Sequence, residues 1–150
     1  MKIKNIVKII TEKVDGKKFD VSKYISTENM LANFGGVALA SSLPTTAVTS
    51  FSKGDILISN IRPYFKKIWF ASFDGVCSND VICLRSKNVN CLQKYLFYLL
   101  NTDKFISIFV ASSKGTKMPR GDKQVLLNYD FFLPPLPVQQ HIIKNSFITI

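Results

Sequence analysis

Short apolar runs separated by turn signals predict a chain rich in short β-strands. The clearest run, residues 56–61, follows Gly54-Asp55, is interrupted at Arg62-Pro63 and resumes over residues 64–71. Because proline has no backbone N–H to donate to a ladder, Pro63 marks a bend or a sheet edge. Further strands are predicted at residues 3–10, 23–26, 81–84 and 129–133.

Two stretches of the chain have a helical pattern. In residues 92–110, apolar side chains recur every three or four positions, which is typical of one buried helix face. Thr102-Asp103 predicts a break or a new N-cap within this window. A second helix is predicted to begin near Pro137 or Val138, because proline is favourable in the first turn. Loops are predicted over residues 11–19 and 112–123, and loops with at most short strands over residues 27–49.

This succession of elements predicts an α+β fold. We expect a twisted, partly barrel-like mixed sheet with a packed helical segment and the start of a C-terminal helix. The chain has 150 residues, of which 47% are hydrophobic and 20% are charged, and this composition is typical of one globular domain.

The charge balance restricts the classes of partner. Twenty Lys and Arg against ten Asp and Glu give a net charge of +10, which attracts polyanions such as nucleic acid or an anionic membrane surface. No run of 18 apolar residues is present, and residues 1–13 lack the apolar block of a signal peptide. We therefore expect a soluble, cytoplasmic protein with no membrane partner.

Signatures of catalysis and of metal binding are missing from the sequence. The three cysteines form no C-x-x-C pair, and the single histidine, His141, is remote from them, which argues against zinc and against a disulfide framework. The chain has only two glutamates, too few for the carboxylate cluster of a nuclease, and it has no phosphate-binding glycine loop. Leu133-Pro134-Pro135-Leu136 lacks the polar residue that precedes Pro-Pro in amino-methyltransferases. We therefore expect no cofactor, no metal and no catalytic residue.

Two basic segments carry most of the hydrogen-bonding potential that suits nucleic acid. They are residues 59–67, at the strand interruption, and residues 114–123, in the polar loop. Arginine can bond the O6 and N7 edge of guanine, asparagine can pair with adenine, and lysine, serine and threonine suit phosphates. The alternative interpretation is a solvated loop with a chance cluster of charge.

Five motifs in this order resemble a known family: GDILISNIRPYFKKIWFA, GVCSND, YLFYLLNTDKF, KGTKMPRGDK and LPPLPVQQHI. They are similar to a target recognition domain of the DNA-specificity (S) subunit of type I restriction–modification systems, over residues 24–141. The resemblance implies a non-catalytic chain. S subunits of this family carry two such domains, each of which reads half of a split DNA site, and helical spacers between them dock methyltransferase subunits that bind S-adenosylmethionine and modify adenine.

The resemblance also implies domain boundaries, partners and candidate contacts. Residues 1–136 would be the recognition domain, and residues 137–150 would be the truncated start of the spacer helix. Double-stranded DNA, the methyltransferase (M) subunits, through them the restriction subunit, and a second half-subunit are the implied partners. The resemblance points to Arg62, Tyr64, Lys117, Arg120 and Lys123. Together with the other polar side chains of the two basic segments, the candidate DNA contacts are Asn60, Arg62, Tyr64, Lys66, Lys67, Lys114, Thr116, Lys117, Arg120 and Lys123.

Some motif residues are expected to have structural roles, and other functions stay open. We expect Gly54-Asp55 to turn the chain into its strand and Ser78-Asn79-Asp80 to cap a turn, with contact to DNA as the alternative role of the second motif. The chain is also consistent with a protein-interaction half-subunit that binds or competes for modification subunits without contacting DNA. A third hypothesis is the recognition part of a fused restriction–methylation enzyme.

Overall fold

Strands and helices alternate with short 3-10 turns in a computed structural model that describes residues 1–145. The strands are β1 (Val7–Ile9), β2 (Lys13–Asp15), β3 (Tyr24–Ile25), β4 (Ala47–Phe51), β5 (Ile56–Ser59), β6 (Ile68–Phe70), β7 (Gly75–Cys77) and β8 (Val81–Ser86). The α-helices are α1 (Gln93–Leu100), α2 (Asp103–Ala111), α3 (Lys123–Leu127) and α4 (Leu136–Lys144). The 3-10 turns are Ile3–Asn5, Gly16–Lys18, Val21–Lys23 and Pro63–Phe65.

The strands form two four-stranded sheets. The first has the order β1-β8-β5-β6 and is antiparallel throughout. The second has the order β2-β4-β7-β3 and is mixed, because β3 pairs with β7 in parallel. This confirms the α+β class, and the strands within residues 1–145 divide between two sheets without closing into a barrel.

The central strand β5 is buried on both faces, which explains its uninterrupted apolar run. Ile56 and Ile58 belong to the core that the helices cover, together with Leu96 and Phe105. Leu57, between them, points to the opposite face and belongs to a second core with Phe51 and Trp69. The first sheet therefore separates the helices from a second apolar layer.

The helical window divides where the sequence predicts a break. The side chain of Thr102 accepts a hydrogen bond from the backbone N–H of Phe105 at 3.4 Å, and α2 begins at the next residue, Asp103. Threonine is a favourable N-cap because its hydroxyl satisfies a free donor of the first turn. The prediction of a new N-cap at Thr102 is confirmed.

Several predicted strand boundaries are wrong. Residues 129–133 form no named strand: Asp130 makes only an isolated bridge with Lys2, and the preceding helix α3 was not predicted. Residues 3–10 hold a 3-10 turn before the short β1, and residues 64–71 hold one before β6. Strand β2 lies within the loop predicted over residues 11–19, and no strand was predicted at β7.

The C-terminal helix α4 begins at Leu136, close to its predicted start, with proline in its first turn. The predicted spacer segment, residues 137–150, extends past Asn145, and its last residues lie outside the described part of the chain. None of the helices in residues 1–145 has the length and apolar character of a membrane span. The three cysteines, Cys77, Cys83 and Cys91, are buried and free.

Candidate nucleic-acid interface

The two basic segments lie side by side, joined by backbone hydrogen bonds. The N–H of Arg62 donates to the carbonyl of Pro119 at 2.7 Å, and the N–H of Gly121 donates to the carbonyl of Asn60 at 3.0 Å. These bonds form an isolated antiparallel bridge between Ile61 and Arg120. Although 46 residues separate them in sequence, the segments form one continuous surface.

The second segment is a closed loop. Lys114 and Arg120 exchange two backbone hydrogen bonds, at 3.0 and 2.9 Å, which close the loop between them. Gly115 has a φ of +102°, a conformation that glycine adopts without strain. Gly121 lies against Phe109, whose ring leaves no room for a Cβ atom. The two glycines therefore allow the loop both to turn and to lie close to helix α2.

Arg62 holds the two segments together through its side chain as well as its backbone. Its Nη2 donates to the carbonyl of Lys117 at 3.1 Å. Its φ is +49°, and Lys66 has a φ of +55°, so both ends of the 3-10 turn Pro63–Phe65 lie in the left-handed region. Non-glycine residues in that region carry strain that the surrounding structure must maintain, and such strain clusters at functional sites.

The predicted contacts differ in how accessible they are. Lys67 is engaged structurally, since its Nζ donates to the carbonyl of Thr27 at 2.6 Å. Asn60, Arg62 and Lys66 are half-buried. The exposed candidates are Tyr64, Lys114, Thr116, Lys117, Arg120 and Lys123. The structure thus leaves six of the ten candidates open to solvent and joins Lys67 to a neighbouring loop.

A groove of about 360 Å³ lies beside the second segment. Asn60 lines it, and the Oδ1 atom of this residue is buried without a hydrogen-bond partner in residues 1–145. The remaining lining residues are Ser112, Lys114, Arg120, Gly121, Asp122 and Lys123. The groove therefore combines three cationic side chains with an amide that retains unused hydrogen-bonding capacity.

The surface is strongly cationic. The two segments contain seven Lys and Arg side chains, and within residues 1–145 only Arg120 of these has a carboxylate within 4.0 Å, that of Asp80. The nearby carboxylate of Asp122 accepts from the N–H of Gln124 and caps helix α3. Within residues 1–145, no group of three or more His, Cys, Asp or Glu side chains is placed to hold a metal ion.

Sequence reasoning missed a third segment of this surface. The N–H of Asn33 donates to the carbonyl of Phe65 at 2.8 Å, and that of Phe34 donates to the carbonyl of Lys66 at 2.9 Å. Asn33 and Phe34 both have positive φ, at +55° and +59°. These contacts are between backbone atoms of irregular loops, and the only signal in the sequence was the neighbouring Gly35-Gly36.

The family model of the type I restriction modification DNA specificity domain matches residues 1–145 of this chain. The type I restriction enzyme EcoDI specificity subunit of Escherichia coli is 33% identical over 101 residues, which are 67% of this chain and 22% of that protein.

Two solved structures have the same fold. The HsdS subunit from Thermoanaerobacter tengcongensis superposes with a TM-score of 0.74 at 20% identity, covering 96% of this chain and 40% of that one. The type I restriction-modification S subunit from M. genitalium gives 0.67 at 15% identity, covering 96% and 36%. The chain thus spans less than half the length of these relatives.

Proposed function

Because this chain belongs to the family of type I restriction modification DNA specificity domains, we propose that it reads one half of a bipartite DNA site. The surface formed by residues 59–67 and 114–123 would lie against the duplex. The observation that carries the proposal is the backbone pairing of Arg62 with Pro119 and of Gly121 with Asn60, which makes one cationic surface from two distant segments. The chain supplies specificity and leaves the chemistry to its partners.

The side chains of the surface differ in which part of the duplex they suit. Lys114, Lys117 and Lys123 are exposed and unpaired with carboxylates within the described chain, which suits phosphate oxygens. Arg62, Arg120 and Asn60 carry planar hydrogen-bonding groups that suit base edges or, for the arginines, phosphates. Tyr64 is exposed beside them and offers a hydroxyl and an aromatic face.

The partners follow from the role of a specificity chain. We propose that it associates with methyltransferase (M) subunits, and through them with the restriction subunit, in the cytoplasm. Residues 1–136 would form the recognition domain, and the helix from residue 137 onward would begin the spacer, alongside which a second half-subunit could pair. Helix α4 begins at Leu136, next to this boundary, and Val138 on it is exposed to solvent, which leaves a side chain open for such pairing.

Pairing of two recognition domains also follows from energetics. A single DNA-binding module buries about 600–1,000 Å², and each wrong base pair costs about 1–3 kcal/mol. A half-site of a few base pairs therefore recurs too often in a genome to be unique. Because linking two modules makes the second contact intramolecular, it raises affinity by about 10²–10⁴. We expect weak DNA binding by the isolated monomer, so nanomolar, sequence-specific binding by a monomer would contradict this account.

A salt titration tests the proposed surface. Each phosphate contact contributes about −0.9 to the slope of log K against log salt, so Lys117→Glu should make the slope shallower by about that amount. Lys8→Glu is the matched control, because Lys8 is exposed on β1 and lies away from the surface. It is opposite Arg85, which is about 16 Å along the chain direction of β8 from Asp80, the residue that contacts Arg120. Equal slopes for Lys117→Glu and the unmodified chain would refute the surface.

Methylome mapping tests the biological role. In cells with and without the gene, the proposal predicts adenine methylation at one split sequence that appears only when the gene is present. A substitution in the surface, such as Arg62→Glu, should remove or change that sequence, whereas Lys8→Glu should preserve it. Methylation that is identical in both cell lines would contradict a role in specificity.

A further inference from the structure

Asp80 and Arg120 form an ion pair where the two basic segments meet. Asp80 directly precedes β8, and its carboxylate contacts Nη1 of Arg120. The side chains are 41% and 51% exposed. An ion pair with this exposure contributes little to folding stability, because water and salt screen it and two side chains lose freedom. Folding stability therefore does not explain why a carboxylate lies within this cationic surface.

The backbones of both residues are fixed, so the pair sets the direction of the guanidinium. The carbonyl of Asp80 accepts from the N–H of Asn60 at 2.9 Å. Arg120 exchanges two backbone hydrogen bonds with Lys114. Within residues 1–145, hydrogen bonds of the Arg120 side chain use Nη1 alone, which leaves the fork of Nε and Nη2 for another acceptor.

The charge of the pair favours a base over a phosphate as that acceptor. A phosphate that approached Arg120 would also approach the carboxylate of Asp80, and the two negative charges would repel. The O6 and N7 atoms of guanine are neutral acceptors with the spacing of an arginine fork, and they incur no such repulsion. Arg62 differs, because its guanidinium is held by the neutral carbonyl of Lys117 and keeps its full charge.

We propose that Asp80 is a positioning residue that directs the free fork of Arg120 to a guanine in the major groove. Arg120 then reads a base, while the neighbouring lysines, Lys114 and Lys117, hold phosphates. This inference rests on the proposed function and deepens it. It assigns one arginine of the surface to sequence discrimination and gives Asp80 a role in specificity.

The experiment measures the preference for one DNA sequence separately from the affinity for DNA of any sequence. The chain first selects duplexes from a pool with a randomised centre, and binding to the selected duplex and to the unselected pool is then measured. Because a bidentate arginine contact discriminates by about 5- to 150-fold, Asp80→Asn should reduce the preference for the selected duplex by at least about 5-fold. Its affinity for the unselected pool should stay equal or rise, because a negative charge has been removed.

Two chemical probes make the assignment specific. Replacing the guanine with 7-deazaguanine removes the N7 acceptor, so it should weaken binding by the unmodified chain and have less effect on Asp80→Asn. Arg120→Lys keeps the positive charge and loses the fork, so it should also lose the preference. Asp130→Asn is the matched control, since Asp130 is exposed and its carboxylate lies 3.6 Å from the N-terminal amine; this variant should keep the preference.

The outcomes separate the inference from the proposed function. If the unmodified chain selects a sequence and Asp80→Asn keeps the full preference, the positioning role is overturned. It is also overturned if Asp80→Asn weakens binding to the selected duplex and to the unselected pool equally, because a purely structural role predicts that result. If the unmodified chain selects no sequence, the proposed function itself fails.

Discussion

The side chain of Gln139, on α4, accepts a hydrogen bond at 2.9 Å from the backbone N–H of Leu92, the residue that precedes α1. Its Nε2 atom donates to the carbonyls of Asn90 and Pro134, at 2.7 and 2.8 Å. Gln139 is fully buried, and it is the glutamine of the LPPLPVQ motif. One amide thus satisfies three backbone groups and fixes α4 against α1.

Gln139→Leu should destabilise the fold by about 2–4 kcal/mol, because a leucine of similar volume leaves three backbone groups without their partner. Urea unfolding followed by circular dichroism measures this difference. Gln140→Leu is the matched control: Gln140 is exposed, and its substitution should change the free energy of unfolding by less than about 0.5 kcal/mol. Equal effects of the two substitutions would show that the buried amide does not hold the helix.

Asp55 has a structural role that its sequence motif indicates only in part. Its side chain is 2% exposed and accepts from Nε and Nη2 of Arg85, at 2.7 and 2.8 Å, and from the N–H of Ser52 at 2.8 Å. Gly54, before it, has a φ of +91°. The pair therefore turns the chain into β5, as expected, and also anchors β8.

Asp55→Asn should cost about 2–4 kcal/mol of stability, since it removes the charge that a half-exposed Arg85 pairs with and disrupts a buried hydrogen-bond set. Thermal and urea unfolding both report the loss. Asp130→Asn removes an equal charge from an exposed position and should leave the stability within about 0.5 kcal/mol. An Asp55→Asn variant as stable as the unmodified chain would contradict the role of the buried pair.

The sequence predicts an element boundary well where the side chain of one residue is enough to set it. Thr102 caps α2 through its own hydroxyl, so its side chain is enough to locate the break. By contrast, the largely apolar stretch 129–133 predicts a strand, although only Asp130 in it forms a bridge, with Lys2. Only tertiary contacts decide whether such a run joins a ladder.

The sequence predicts which basic segments form the candidate surface, but it does not predict the contacts that hold them in place. The adjacency of residues 59–67 and 114–123 comes from backbone hydrogen bonds between distant parts of the chain, and contact with DNA stays a prediction. The segment at Asn33 could not be found, because backbone hydrogen bonds between left-handed residues leave no period in the sequence. Likewise, no pattern showed that Lys67 bonds to Thr27 or that Asp80 pairs with Arg120.

The buried thiols should make the fold sensitive to alkali. Burial raises the pKa of Cys77 to about 12 and that of Cys91 to about 11, from an ordinary value of 9.0. Above the ordinary pKa the unfolded chain loses thiol protons that the folded chain keeps, so stability falls as pH rises toward the folded pKa values. Below the ordinary pKa the thiols are protonated in both the folded and the unfolded chain, so the stability that they contribute is fully present.

Cys77→Ala isolates the contribution of one thiol. Between about pH 9 and the folded pKa, the free energy of unfolding of the unmodified chain should fall more steeply than that of the variant, by up to about 1.4 kcal/mol per pH unit. The remaining side chains are the same in both proteins, so their effect cancels in the difference between the two curves. Urea unfolding across the pH series measures this difference in the free energy of unfolding. Parallel curves of that free energy against pH would contradict the burial of an uncharged thiol.

Gly121 couples the second basic segment to the helical core. A Cβ atom on it would lie 2.7 Å from Cε1 of Phe109, a buried ring that stacks on Phe105. Gly121→Ala should therefore cost about 1–3 kcal/mol through overpacking and should displace the neighbouring Arg120, which weakens DNA binding. Urea unfolding and the salt titration measure these two effects on the same variant.

A second substitution distinguishes crowding from backbone strain. Phe109→Leu removes the ring that the new methyl group meets, so the double variant should be less destabilised than the sum of the two single variants. Gly115→Ala is the contrasting case: its φ is +102° and its nearest neighbours are backbone atoms at 3.5 Å or more, so strain alone makes it unfavourable and Phe109→Leu should not rescue it. Strictly additive effects of Gly121→Ala and Phe109→Leu would show that the ring does not set the position of the loop.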